Sequence, residues 1–546
     1  MRTDYQAHIY YFDNGLDSMQ AAATLALLSN RYDLVVLGVH NYNRFPAGHF
    51  GVSAAARWLI SRLQQQQQTI TLFFGNPYLI RDFCDAKTLL SCYDDTEITQ
   101  VAAADLLRGR FTAAGRLPVS VCPSLPGGTG IVPPLRTLPV AAASALGFHP
   151  EKLLAIDSLC RDAIAKEATP GCVVLVARAG RIAYQKAFGY LSYEKTELAY
   201  PQTIYDLASV TKICATTLAV MKLYEGGNLD LKKTLGDYLP ELIGSNKEHL
   251  NIYDVLLHQA GLKAFIPFYQ ETIDKSREGY PLASVYSARP NSLFRIRVAD
   301  NLYMRANWLD TMFSRIRVSE LGPTGRYIYS DNDFILMGKV VEAISGNRLD
   351  QYMQEHFYQP MAMTTTGYRP RDRFPLDRIA PTERELTFRR QLLRGDVHDP
   401  GAAMFGGVSG HAGLFSDAYD LALLAQMLLN GGVIDGQRLL NRETIDLFTA
   451  YHSDSSRRGL GFDKPEKDNP TRKDPYPCLS ASSLTFGHTG FTGTCLWVDP
   501  KYQLIFIFLS NRVNPSGSNQ LSLLNVRGNI MEAIYKSMDV YGKNDQ

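Results

Sequence analysis

A serine and a lysine three residues apart carry the most explicit chemistry in this chain. They lie in the run Tyr205-Asp206-Leu207-Ala208-Ser209-Val210-Thr211-Lys212. A free serine hydroxyl is a poor nucleophile and needs a base beside it. A lysine can be that base when burial or a nearby cation lowers its pKa. The run reads as the start of a helix, on which positions i and i+3 share a face about a turn apart, so hydroxyl and amine can meet. The helix N-terminus also offers free N–H groups and a positive dipole end, where an oxyanion can form. S-x-x-K alone recurs by chance in long chains, and its weight here comes from two later motifs in a fixed order. Tyr329 stands in Tyr327-Ile328-Tyr329-Ser330-Asp331-Asn332, with a hydrogen-bonding side chain two residues on. Phe486-Gly487-His488-Thr489-Gly490-Phe491-Thr492-Gly493 then opens a strand-like run to Val498, and 503–509 reads as the second arm of an antiparallel edge hairpin. Glycines at 490 and 493 would let a ligand backbone approach that strand closely.

The chain that positions these residues has 546 residues, too many for one core, so two or more domains are expected. Its composition is that of an ordinary globular protein. A formal net charge of +2 gives no reason to expect nucleic acid or an acidic membrane surface as partner. No run reaches the roughly 18 apolar residues of a membrane span. The start, Met1-Arg2-Thr3-Asp4-Tyr5-Gln6, lacks the basic and apolar regions of a signal peptide. On this reading the chain is either cytosolic or a fragment whose natural start has been removed. The eight cysteines form no C-x-x-C and no pair at metal-ligand spacing. They read as small buried hydrophobes and do not settle the redox compartment.

Residues 1–125 alternate strand and helix: strands at 7–12, 32–39 and 69–77, helices at 18–28, 53–67 and 96–107. That alternation argues for βαβ units and a mostly parallel sheet. Neither G-x-G-x-x-G nor G-x-x-x-x-G-K-[ST] occurs there, so nucleotide binding has no support. A breaker-rich linker is expected at 126–147, and a second domain at 148–546. The second domain opens with an amphipathic helix at 149–166 and a hairpin, 172–178 with 182–188, around Ala179-Gly180-Arg181. The Ser209 helix should run through Tyr224 to Gly226-Gly227, and the aromatic, basic segment 265–321 could roof a site.

These motifs carry two resemblances. Phe73-Phe74-Gly75-Asn76-Pro77-Tyr78, Ala102-Ala103-Ala104 and Gly115-Arg116-Leu117-Pro118-Val119 together resemble the C-terminal α/β sandwich domain of family 3 glycoside hydrolases. The likeness is closest to β-N-acetylhexosaminidases fused to a β-lactamase-like domain. In that family the glycosidic chemistry lies mostly in a preceding TIM barrel, which this chain lacks, so no glycosidase activity is expected. The Ser209, Tyr329 and His488 motifs, in that order, resemble serine β-lactamases and penicillin-binding proteins. The class C-like group, with its DD-carboxypeptidases and esterases, is the nearest. This resemblance implies an antiparallel sheet flanked by helices, an all-helical lobe, and a site between them.

Carried onto this chain, the resemblance makes Ser209 the acylated nucleophile and Lys212 the group that takes its proton. Tyr329 would relay protons to the leaving group. The backbone N–H groups of Ser209 and Phe491 would form the oxyanion hole. His488, Thr489 and Gly490 would line the substrate strand, with His488 and Thr489 on the substrate carboxylate. Two positions depart from the family pattern. Asp331 stands where Asn is usual, and an ionised carboxylate accepts but cannot donate. His488 stands where most β-lactamases have lysine. If a cationic His488 holds the substrate carboxylate, KM for acidic substrates should rise as pH climbs from about 5.5 to 7.5.

No cofactor and no resident metal are expected. A zinc site from His398, Asp399 and His411 has no tight ligand spacing behind it, and loop-shaping roles suit both histidines better. His258 reads as a packed helix-end residue. Two functional readings are open. One is a serine hydrolase working through an acyl-enzyme on a peptidoglycan peptide, a β-lactam or an ester. The other is a cell-wall-binding module whose hydrolase domain is inactive. The expected partner is a small-molecule or peptidoglycan-derived substrate, with no nucleic acid and no membrane span. The oligomeric state is unknown. The family context implies a periplasmic or cell-envelope location for the full-length bacterial protein, with the cytoplasm open as the alternative.

Overall fold

Val35–Val39 (β1) and Thr69–Phe73 (β2) are short apolar runs of the kind that parallel sheets bury on both faces. They pair in parallel, and Leu89–Ser91 (β3) adds to β2, giving the order β1-β2-β3. In the computed structural model the described residues are 7–29, 31–107, 115–130 and 138–539. The chain divides into two compact units, Met1–Thr137 and Leu138–Gln546.

Parallel neighbours require a crossover. In the first unit Ala54–Gln66 (α2) supplies it between β1 and β2, with Ser18–Leu28 (α1) before and Glu97–Leu107 (α3) after. Asp17 closes a capping box on α1 and Ser53 caps α2. Ala21, Leu28, Leu59 and Leu63 pack with Val39 and Phe73 into one core. One expectation fails here. The segment 7–12 forms no strand: Ile9, Tyr11 and Phe12 are exposed and among the described residues no strand pairs with it, so its alternation has no sheet to serve. Conversely, β3 is too short for a periodic pattern to reveal. The cysteine reading is also corrected, because Cys84 and Cys122 are joined in a disulfide. They lie 38 residues apart, and only the fold brings them together. Five of the remaining cysteines are buried, as expected.

The second unit is built on a five-stranded antiparallel sheet. Its strands are Gly171–Arg178 (β4), Arg181–Gly189 (β5), Phe486–Thr489 (β6), Cys495–Asp499 (β7) and Leu504–Ser510 (β8). Their spatial order is β6-β7-β8-β4-β5. Ala179 and Gly180 both take positive φ (51° and 75°), the turn geometry whose twist suits a two-residue hairpin. Alternation along β4 sorts two cores. Val173, Leu175 and Ala177 join the cluster that continues into the helical lobe. Cys172, Val174 and Val176 pack with Ile156, Cys160, Ile530 and Ile534, from Ala155–Ala165 (α4) and Val526–Lys536 (α8). The lobe holds Thr217–Glu225 (α5) and Asp331–Ser345 (α6), while Ala418–Leu429 (α7) packs on β4 and β8. This is the antiparallel sheet flanked by helices, with a helical lobe, that the motifs implied. The helix expected at 149–166 is divided at Leu154 into Pro150–Leu153 and α4. Residues ahead of it already belong to this unit: Leu138 is buried, and Ala141 N–H donates to the Ile182 carbonyl at 3.0 Å. Among the described residues no helix is long and apolar enough to cross a membrane.

Candidate active site

Ser209 sits in a 3-10 turn, Ala208–Val210, rather than in an α-helix. Lys212 opens a π-helical turn, Lys212–Thr216, before α5 begins. In 3-10 geometry residues i and i+3 eclipse, and Lys212 Nζ lies 3.0 Å from Ser209 Oγ. The expected meeting therefore occurs, by a tighter turn than the sequence suggested.

The turn is held from several sides. Ala208 takes φ 47°, and its N–H donates to Asp206 Oδ1 at 2.9 Å. Asp206 Oδ2 accepts the His398 N–H at 2.7 Å. Thr492 and Thr494 hydroxyls donate to the carbonyls of Asp206 and Leu207 at 2.7 and 2.9 Å. Gly490 makes this docking possible, since a Cβ there would meet Leu207 O at 2.4 Å and Thr494 Oγ1 at 2.1 Å. The sequence pattern assigns that glycine to an approaching ligand; in the fold it admits the chain's own nucleophile turn.

Lys212 is fully buried, and all three ammonium hydrogens have acceptors: Ser209 Oγ at 3.0 Å, Asp331 Oδ1 at 2.7 Å and the His411 carbonyl at 3.2 Å. Burial disfavours its charge, but Asp331 and Tyr329 together outweigh burial and its pKa ends above the ordinary lysine value. The expectation of a lysine with a lowered pKa is thus corrected: the resting amine is a cation. Asp331 is the first residue of α6 and half-buried. Tyr329 stands beside the pair, its ring centroid 4.9 Å from Lys212 Nζ. Burial raises the Tyr329 pKa, while the Lys212 and Arg458 cations oppose that rise.

His488 faces the same space from β6, the sheet edge. It is buried, and its Nδ1 lies 2.7 Å from the Thr489 carbonyl, so Nδ1 is the donor and Nε2 a bare acceptor. Among the described residues Nε2 has no hydrogen-bond partner. Burial, with the Arg458 and Lys212 cations nearby, pushes its pKa down to about 3. That favours a neutral His488 near neutral pH and argues against the cationic role, and with it against the climb of KM expected between pH 5.5 and 7.5. Arg457, Arg512 and Arg527 line the same cavity, and the buried cation beside Tyr329 on this side is Arg458, which sequence reasoning missed. Its guanidinium carbon lies 5.4 Å from the Tyr329 ring centroid and 5.6 Å from that of Tyr327. Asp463 anchors it at 3.7 Å and holds the neighbouring Arg457 at 2.7 Å. Two adjacent arginines before a glycine are the only trace of this in the sequence.

The histidines read as loop-shaping do not assemble a zinc set of His398, Asp399 and His411. His398 Nε2 pairs with Glu383 at 2.9 Å and its ring stacks on Phe491 at 5.4 Å. His411 Nε2 pairs with Asp399 at 2.8 Å, and Ser409 Oγ lies 2.9 Å from its Nδ1. Among the described residues, the three whose ligand atoms do come within 4.8 Å of one another are Asp331, Asp399 and His411. One of those carboxylates already holds the Lys212 ammonium.

Ser209, Tyr329, Asp331, His488, Thr489, Gly490 and Phe491 all line one cavity of about 710 Å³, and Lys212 lies buried against it. Phe265 to Tyr269 form an apolar wall, from the segment expected to roof the site. The family model described as "Beta-lactamase" matches residues 156–527, which is most of the chain and contains all of these residues. The chain belongs to the β-lactamase family. It is similar to a "Putative D-alanyl-D-alanine carboxypeptidase" of Salmonella enteritidis PT4, at 32% identity over 70% of this chain and 88% of the relative. Among solved structures it is similar in fold to EstCE1, "a hydrolase with promiscuous acyltransferase activity", with TM-score 0.51 and 21% identity over 70% of this chain and 99% of that one. A class C β-lactamase mutant matches with TM-score 0.51 and 16% identity, over 70% of this chain and 97% of that one. This β-lactamase-family member thus carries its serine and lysine in contact, in a cavity between sheet and helical lobe.

Proposed function

We propose that the protein is a serine hydrolase that works through an acyl-enzyme on Ser209. The observation that carries this reading is the 3.0 Å contact between Ser209 Oγ and a fully buried Lys212 at the wall of a substrate-sized cavity. The proposed substrate is an amide or ester of the D-alanyl-D-alanine peptide kind, or its β-lactam mimic, as the carboxypeptidase name of the Salmonella relative suggests. Ser209 Oγ attacks the carbonyl carbon. Its proton passes to the Lys212–Tyr329 pair and from there to the departing amine or alkoxide. Water then hydrolyses the ester and releases the acid. The N–H groups of Ser209 and Phe491 would receive the oxyanion. Because Lys212 rests as a cation, the pair must shed one proton before it can accept one.

The test is intact mass after incubation with a labelled penicillin, on wild type and Ser209→Ala. A stable adduct lost in the variant supports a penicillin-binding or peptidase role. Ring opening without an adduct supports a β-lactamase, and turnover of small esters alone supports an esterase. One observation favours a second reading, a cell-wall-binding module with an inactive hydrolase domain: Asp331 keeps the would-be base protonated. Absence of adduct and of turnover on all three substrate types would select it.

For residues 1–125 we propose descent from the C-terminal domain of a family 3 glycoside hydrolase, followed by a linker that starts at 126 and ends where the second unit begins, at Leu138. The parallel sheet β1-β2-β3 with its helices supports that reading. A fluorogenic N-acetylglucosaminide should not be cleaved, and limited proteolysis should cut first within the linker. The Cys84–Cys122 disulfide supports the periplasm or cell envelope over the cytoplasm. Fractionation of the native host, with thiol labelling of those two cysteines, tests the location.

A further inference from the structure

Tyr329 is fixed by a residue that reads as an ordinary helix-end histidine. His258 follows the short helix Ile252–Leu256 and takes φ 56°, a backbone region that costs a residue bearing a Cβ. From there it grips the chain on both sides of Tyr329. The Ile328 N–H donates to the His258 carbonyl at 2.9 Å, and the Ser330 N–H donates to His258 Nδ1 at 3.2 Å. Its ring packs against the Tyr329 ring, with centroids 4.7 Å apart. The same Nδ1 lies 2.6 Å from Asp333 Oδ2, and both side chains are buried.

We infer that His258 is a positioning residue for Tyr329, and that Asp333 holds it as the hydrogen-bond donor of a neutral, singly protonated pair. The tautomer comes from hydrogen-bond bookkeeping. Nδ1 accepts the Ser330 N–H, so its lone pair faces out and it carries no proton. The short contact with Asp333 then has the carboxyl proton sharing the Nδ1 lone pair with the Ser330 N–H, and the imidazole proton lies on Nε2, which has no hydrogen-bond partner among the described residues. Burial drives both groups toward neutrality: it raises the Asp333 carboxyl well above its usual range and lowers His258 well below. The charged and titratable groups around the pair are Lys212, Asp331, Arg458 and His488, with the Tyr327 and Tyr329 rings against the imidazole. This arrangement is opposite in sense to a carboxylate that orients a histidine, where the carboxylate accepts.

The inference rests on the acyl-enzyme reading, and its test keeps the two apart. Single-turnover acylation by a labelled penicillin or activated ester is measured on wild type, Ser209→Ala, His258→Ala, Asp333→Asn and Asp333→Ala. If wild type acylates no more than Ser209→Ala, the acyl-enzyme reading falls. If it does acylate, His258→Ala should lose on the order of 10²-fold in acylation rate with KM little changed, because a misplaced proton-transfer group costs rate rather than binding. Asp333→Asn keeps a donor on Nδ1 and should acylate close to wild type with the same pH profile, while Asp333→Ala should not. Equal losses in Asp333→Asn and Asp333→Ala, or a His258→Ala rate equal to wild type, would overturn the assignment. Should the alanine variants not fold, ¹⁵N NMR of wild-type His258 decides. A bare Nδ1 and a protonated Nε2, unchanged from pH 5 to 9, are expected; a proton on Nδ1 would overturn it.

Discussion

Asp331 and Asp333 stand two residues apart in the first turn of α6, and the fold sets them to opposite uses. Asp331 is half-buried at the cavity wall, 2.7 Å from a lysine, and makes an ion pair that raises the pKa of Lys212. Asp333 points into the core, 2.6 Å from a histidine, where burial favours the protonated acid. The residue type is the same and so is the turn of helix; the difference is the partner and the access of water. A carboxyl group held at 2.7 Å by a lysine ammonium at a cavity wall serves that ammonium, and one beside an imidazole in a dry core is pushed toward its neutral form by burial. The site accordingly has a charged pole, Lys212 with Asp331, and a neutral one, His258 with Asp333. His488 belongs with the neutral pole although the sequence offered it as a cation.

The largest effect that could break this contrast is loss of the charged pole. Lys212→Met should lower the Ser209 acylation rate by a factor on the order of 10² to 10⁴, the span of a positioned acid–base group. A rate within experimental error of wild type would remove Lys212 from the chemistry. The next effect concerns the neutral pole and is read as stability. His488 titrates near 3 in the folded protein and near 6.5 unfolded, so the unfolded state binds more protons between those values. The stability that comes from keeping it neutral is present above pH 6.5 and is lost as pH falls toward 3. The loss amounts to roughly 3 kcal/mol by pH 4. Denaturant unfolding of wild type and His488→Gln at pH 7 and pH 4 checks this: the variant should lose less on acidification.

A smaller effect tests the charged pole directly. Asp331→Asn removes the carboxylate that holds Lys212 protonated, so the rising limb of kcat/KM against pH should move to lower pH and the neutral-pH rate should increase. A limb that stays in place would mean that another group governs it. The smallest expected effect is none: KM for a carboxylated substrate should not change between pH 5.5 and 7.5 through His488, because the imidazole is neutral across that interval. A KM that climbs through that interval in wild type and is flat in His488→Gln would restore the cationic role.

The sequence by itself determined which residues could meet. Spacing sets Ser209 against Lys212 in any tight helical turn. The apolar runs of β4, β6, β7 and β8 specify a buried antiparallel sheet, because alternation along a strand decides what each face buries. The order of the three motifs carried the family resemblance. What only the tertiary structure decided is the charge of each group, since a pKa depends on distances to residues far away in the chain. Asp331 is 119 positions from Lys212 and His258 is 75 from Asp333. Arg458, which sits on the Tyr329 ring, leaves no local trace beyond a pair of adjacent arginines before a glycine. The Cys84–Cys122 bond and the exposed course of 7–12 were hidden for the same reason: pairing between distant segments leaves no period in the sequence.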